Sequence, residues 1–331
     1  MPPARVGPTL LALLGAACGG GHAAAKTSSL SASADPAGLV AAADSAASAR
    51  KDREASARYL AVLALWPDSL PVAERALGSF WRAARYQDAY VWGRRALERD
   101  PHSLRVLFDV GVTCGFLVAL ECADSVFRRT IALDPSFVDG YSELAFLAQA
   151  RGDLAGAVRE MQSAYAAGPE NDFAVSGLAQ MLIPAREPGR ARVLMEPRLA
   201  LDRKARAYGG RSMLTLYGWA LLQLGDTLGA DRAFDEVLGW LRRREQAGQT
   251  TYQLFRERAA IHALRGEREA AVDAMQTAFE RGWRLYGSWS LTDPMFAGVA
   301  SDPRVAALIE KMRVEVREIR RQLGMESGAQ H

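Results

Sequence analysis

The chain has none of the short signatures that mark common catalytic or nucleotide sites. It contains no G-x-x-x-x-G-K-[ST] loop, no G-x-G-x-x-G, no H-E-x-x-H, no C-x-x-C and no G-x-S-x-G. Histidine is scarce: His22, His102, His262 and His331, two of them near the termini. Nothing in their spacing converges them on a metal, so no metal and no cofactor are expected. Carboxylates are plentiful but sit beside arginines, as in Asp231-Arg232, Glu267-Arg268 and Arg317-Glu318. That alternation describes solvated helix faces rather than acid/base pairs, and no enzyme activity is expected. A charge excess is also missing: 41 basic against 38 acidic residues leave +3 over 331 residues, which argues against a polyanion such as a nucleic acid as partner. The apolar run at the N-terminus, Leu10–Ala17, is far too short to cross a bilayer as a permanent helix.

What the chain does have is punctuation. Pro67, Pro101, Pro135 and Pro169 follow one another at intervals of 34 residues, each after a short apolar helical pattern. Proline cannot continue a helix and biases the preceding residue away from helical backbone. With each proline at position 32, units begin at Pro36, Leu70, Leu104 and Val138, and position 20 is Ala55, Ala89, Ala123 and Ala157. Position 8 is Ala43, Leu77, Gly111 and Ala145. Small residues at positions 8, 20 and 27 let two antiparallel helices approach closely. A unit of this size cannot bury its own apolar stripe, so neighbours must stack into a solenoid.

This pattern resembles the tetratricopeptide repeat, with its Gly or Ala at position 8, Ala at 20 and Pro at 32. Three further units begin with drift at Asp172, Arg211 and Tyr252; Gly152-Asp153, Gly225-Asp226 and Gly266-Glu267 occupy positions 15 and 16, the turn between the two helices. Pro184, Pro188 and Gly189 sit where the first helix of the fifth unit ends, so an irregular turn is expected there. The resemblance covers residues 36–285 and implies an all-α helical-hairpin solenoid, a right-handed superhelix of about seven repeats. Residues 286–331 are read as a capping region. Asp302 and Pro303 suit the start of a last helix. Val305, Leu308, Ile309, Met312, Val316, Ile319 and Leu323 keep to one helical face, as a terminal cap requires.

The N-terminal 18 residues read as a signal peptide ending Leu-Leu-Gly-Ala-Ala-Cys18. Small residues before a cysteine resemble the lipobox of bacterial lipoproteins, which implies that Cys18 is lipidated. Gly15 departs from that pattern, which favours Leu three residues before the cysteine; Leu14 is one place early. A cleaved secretion signal with a soluble product is the alternative. Residues 19–35, rich in Gly, Ala and Ser, read as a flexible tether of about 20–25 Å. Cys114 and Cys122 flank the turn of the third unit. In an exported protein they either form a disulfide or pack as two buried thiols.

In tetratricopeptide repeats the first helices line a concave surface, mainly through positions 2, 5, 9, 12 and 13. Carried onto this chain, those positions offer Trp81, Arg82, Arg105, Phe108, Phe116, Phe146, Phe173, Trp219 and Arg256 as a partner-binding groove. Aromatic residues and arginine dominate interface hot spots, and the rings are expected to stay solvent-exposed in the free protein. The reading is a non-catalytic protein-interaction scaffold that binds a protein or peptide. It is held on the periplasmic side of a bacterial envelope by its lipid anchor, where it assists assembly of an envelope complex. The alternative is a capture protein taking a peptide or small ligand in the groove for uptake or sensing.

Overall fold

The computed structural model describes residues 35–49, 51–207, 211–249, 251–284 and 293–325; Cys18 and the tether lie outside them, apart from Asp35. Seven helical hairpins follow one another: α1 (Pro36–Ser48) with α2 (Asp52–Leu65), α3 (Leu70–Arg82) with α4 (Tyr86–Arg99), and α5 (Leu104–Phe116) with α6 (Leu120–Leu133). Then come α7 (Val138–Ala150) with α8 (Leu154–Ala167), α9 (Asp172–Leu182) with α10 (Pro188–Leu201), α11 (Met213–Gln223) with α12 (Thr227–Gln246), and α13 (Tyr252–Leu264) with α14 (Arg268–Glu280). A short 3₁₀ helix (Pro294–Val299) leads into α15 (Pro303–Gln322). Each helix packs on the next and each odd helix also touches the following odd one, which is the connectivity of a stacked array. The all-α solenoid expected from the proline spacing is the fold observed.

Small residues make the stacking possible. Ala55, Ala89, Ala123 and Ala157 are fully buried. A Cβ on Gly111 would lie 2.5 Å from the Phe127 ring, and one on Gly218 would lie 2.6 Å from the Phe234 ring. Position 8 therefore receives the large side chain from position 24 of the same unit. Local capping fixes the helix starts: Asn171 accepts from Phe173 N at 2.8 Å, Asp153 from Gly156 N at 2.7 Å and Asp302 from Arg304 N at 2.9 Å.

Left-handed backbone marks the turn inside the second to the seventh hairpin. Ala84, Val118, Gly152, Arg186, Gly225 and Gly266 all have φ between 54° and 84°. The first four are 34 residues apart; the next two steps are 39 and 41. Arg186 corrects one expectation. Pro184 does shorten α9, which stops at Leu182, but the turn of the fifth unit keeps the same left-handed residue at the same position as its neighbours. In the third unit Cys114 and Cys122 form a disulfide across the turn, with Cα atoms 5.9 Å apart.

The core runs in two blocks. One spans the first three hairpins and takes in Leu144 and Leu147 of α7; the other runs from Ala145 and Phe146 of α7 to α15. The two meet at α7 and again through α15, where the reading of α15 as a simple cap needs correction. Its first half does cap: Val305, Leu308 and Met312 are buried in the C-terminal block, and Arg268 Nε donates to Asp302 Oδ2 at 3.0 Å. Its second half leaves the last hairpin. Ile319, Leu323 and Met325 pack against the N-terminal block, and Arg320 Nη1 donates to the carbonyl of Val118 at 3.4 Å. A helix of this length spans about 30 Å, enough to bridge from the seventh hairpin to the third. Arg284, after α14, holds Glu315 at 2.6 Å on the way.

Candidate interaction surface

The groove positions of the second and third hairpins converge on one buried carboxylate. Asp109, one turn into α5, accepts from Trp81 Nε1 at 3.0 Å and from Arg105 Nε at 2.8 Å. Burial pushes the Asp109 carboxyl above its ordinary value, against the pull of Arg105 and Trp81. Arg82 lies over the Trp81 ring at 5.2 Å and donates from Nε to Asp52 Oδ1 at 2.8 Å. Trp81 is thus clamped from both sides, by a carboxylate on its edge and a guanidinium on its face. Phe116 stacks on Trp81 at 6.0 Å and on Tyr86 at 4.8 Å. Phe108 meets Phe137 edge-on at 5.7 Å. Trp81 and Phe108 stay half-buried and Arg105 exposed, so this patch presents rings and one exposed cation held by a buried carboxylate.

The other proposed groove residues stand apart from it or, like Phe116 beneath Trp81, are buried. Phe173 stands in the first turn of α9, 41% exposed. Phe146 and Trp219 are 2% and 4% exposed and belong to the C-terminal core block. Phe116 is also buried. The expectation of exposed rings therefore fails at Phe116, Phe146 and Trp219: stacked odd helices approach closely enough to take position 9 and the end of position 13 into the core. Arg256 is buried as well. Burial, and then the neighbouring charge of Arg211, pull its guanidinium down to about 10, and it is no surface anchor.

No protein-family model and no curated protein sequence matches the chain. Solved structures do. A tetratricopeptide repeat protein from Parabacteroides merdae superposes over 83% of this chain and 97% of its own, with a TM-score of 0.52 at 11% identity. A chain of the APC/C Cut9–Hcn1 hetero-tetramer superposes over 83% of this chain and 55% of its own, with a TM-score of 0.51 at 14% identity. The fold is that of a tetratricopeptide-repeat solenoid.

A tetratricopeptide hairpin array needs apolar contacts, yet this one also buries charge that the sequence did not reveal. Arg211, before α11, pairs with Asp293, 82 residues later, and both side chains are 1% exposed. Asp293 was legible only as the residue before Pro294, and it does cap Met295 N at 3.1 Å. Glu257 in α13 accepts from Ser212 N at 2.5 Å and from Thr215 Oγ1 at 2.8 Å. Tyr86 is a further case. Burial raises its hydroxyl well above the ordinary value, and the groups that act on it next are Tyr252, Arg284 and Glu315, from the far end of the array. Among the described residues no cluster of His, Cys, Asp and Glu is arranged to hold a metal, and no helix is long and apolar enough to cross a membrane.

Proposed function

We propose that the protein is a non-catalytic scaffold that binds a protein partner on the Trp81–Arg105–Phe108 patch. It is tethered through a lipidated Cys18 to the periplasmic side of a bacterial envelope, where it assists assembly of an envelope complex. The observation that carries the binding half is α15. The N-terminal block already seats one amphipathic helix, through Ile319, Leu323 and Arg320, and the half-exposed rings of α3 and α5 belong to the same block. A partner helix offering apolar residues at i, i+3 and i+7 with flanking acids would complement the rings and Arg105 in the same way. The Cys114–Cys122 disulfide supports the location, because such bonds persist in oxidising compartments.

The test has two arms. Wild-type protein should fractionate with membranes and be released by detergent, and Cys18→Ser should move it to the soluble periplasm; wild type already soluble without detergent removes the anchor. Crosslinked pull-downs from detergent extracts should retain a partner that the Trp81→Ala/Phe108→Ala variant loses about thirtyfold, matching the loss of about 2 kcal/mol typical of an aromatic anchor. Retention by that variant, with its fold intact by circular dichroism, rules out this patch.

A further inference from the structure

The turn of the third hairpin brings three features together. Of the six left-handed turn residues, three are glycines and Ala84 and Arg186 are unbranched, but Val118, at φ 54°, is β-branched. A β-branched side chain in left-handed backbone is a steric outlier, and such strain persists only where its surroundings hold it. The same turn carries the Cys114–Cys122 disulfide, which joins the last turn of α5 to the first turn of α6. The carbonyl of the same Val118 accepts from Arg320 Nη1 of α15 at 3.4 Å.

The other five turns close without a cross-link, since the remaining cysteine of the chain is Cys18. The backbone bonds are alike: Val118 N to Gly115 O at 3.0 Å and Ala119 N to Cys114 O at 2.9 Å match Ala84 N to Trp81 O and Arg85 N to Phe80 O. A turn of this shape therefore needs no disulfide as such. The one disulfide coincides with the strained residue and with the landing point of α15. Its two sulfurs differ in access: Cys114 is fully buried, whereas Cys122 is half-buried and stands third in α6.

We propose that the Cys114–Cys122 disulfide is a redox latch for α15, opened by a dithiol reductant. A thiolate of the dithiol attacks the accessible Cys122 Sγ and forms a mixed disulfide. The bond to Cys114 breaks, and Cys114 leaves as a thiolate that takes up a proton. The second thiol of the dithiol then displaces Cys122, whose thiolate departs from a helix N-terminus, where negative charge is favoured. The protein gains two electrons and two protons, and the dithiol becomes its own disulfide. With the bond intact, Val118 is held left-handed and its carbonyl meets Arg320. With the bond reduced, residues 114–122 regain freedom, Val118 relaxes out of the left-handed region, and the second half of α15 loses its landing point. Ile319, Leu323 and Met325 then come away from the N-terminal block against which they pack. The first half stays, because Val305, Leu308 and Met312 are buried in the C-terminal block and Arg268 holds Asp302.

The test compares the full chain, oxidised and after dithiothreitol, by amide hydrogen exchange, with alkylation mapped to Cys114 and Cys122 reporting reduction. Residues 316–325 should exchange about tenfold faster after reduction, while residues 303–312 and α7–α14 keep their protection. Cys114→Ser/Cys122→Ser should match the reduced protein and ignore dithiothreitol. Val118→Gly separates a latch from a plain cross-link. Glycine holds left-handed backbone without help, so this variant should keep α15 docked even when reduced. Unchanged exchange in reduced wild type overturns the latch. Faster exchange along the whole chain also overturns it, since the disulfide would then be a general stabiliser. Release of α15 from reduced Val118→Gly overturns the role of the strained turn. Failure of dithiothreitol to reduce the bond in the folded protein overturns the access through Cys122.

Discussion

At the scale of single residues, burial decides what a side chain does, and position in the repeat does not always reveal it. Phe146 and Phe108 are both groove positions, yet one is core and the other half-exposed. Phe146→Ala should therefore cost about 3–5 kcal/mol, the range for emptying a core Phe site, read as a lower midpoint in urea with the slope unchanged. A loss below about 1 kcal/mol would put the ring back on the surface. The residues of the patch were legible because aromatics at positions 2, 5, 12 and 13 stand out in sequence. Asp109, which orients Trp81 and Arg105, was not: at position 6 it looks like any solvated helix acid until α3 is placed beside α5. Arg211 and Asp293 were illegible for a stronger reason. Their pairing follows no repeat period, and only the tertiary fold brings them together.

At the scale of helices, the alanines and glycines carry the fold, and their spacing made it readable. Position 20 is buried in every unit that the proline register defined, because close helix approach is a local requirement that repeats with the chain. The same glycine substitution should then have opposite signs at two sites. Gly111→Ala forces a Cβ to 2.5 Å from the Phe127 ring, so it should destabilise by about 1–3 kcal/mol despite the better helix propensity of alanine. Gly239→Ala, mid-helix in α12 with its nearest contact at 3.5 Å, should stabilise by up to about 1 kcal/mol. Thermal melts of the two variants settle both signs; equal shifts would show that propensity alone governs them. The turn of the fifth unit shows where reading by composition misleads. Two prolines suggested an irregular connection, but the backbone needs only one left-handed residue there, and Arg186 supplies it.

At the scale of the molecule, the array departs from the expectation for an open solenoid, in which each repeat meets only its neighbours and stability is a sum of local terms. Here α15 ties the last hairpin to the third. Ile319→Asp should break that tie at a cost of about 1–2 kcal/mol for a half-buried aliphatic side chain. The more telling readout is the shape of urea unfolding. Wild type should unfold in one transition, and the variant should show a lower slope or two steps as the end hairpins open separately. A single transition of undiminished slope in Ile319→Asp would show that the bridge carries no cooperativity.

The bridge also sets an order of events during synthesis. Arg320 is 202 residues from the carbonyl it holds, and α15 follows all seven hairpins in the chain. The early hairpins can fold and stack while the ribosome is still working, since their contacts are local. The edge that α15 covers must wait, with its apolar side chains open, until the last of these helices has emerged. A chaperone or an export factor that recognises bare apolar surface would therefore read this edge as the mark of an unfinished chain, and lose its hold when α15 docks.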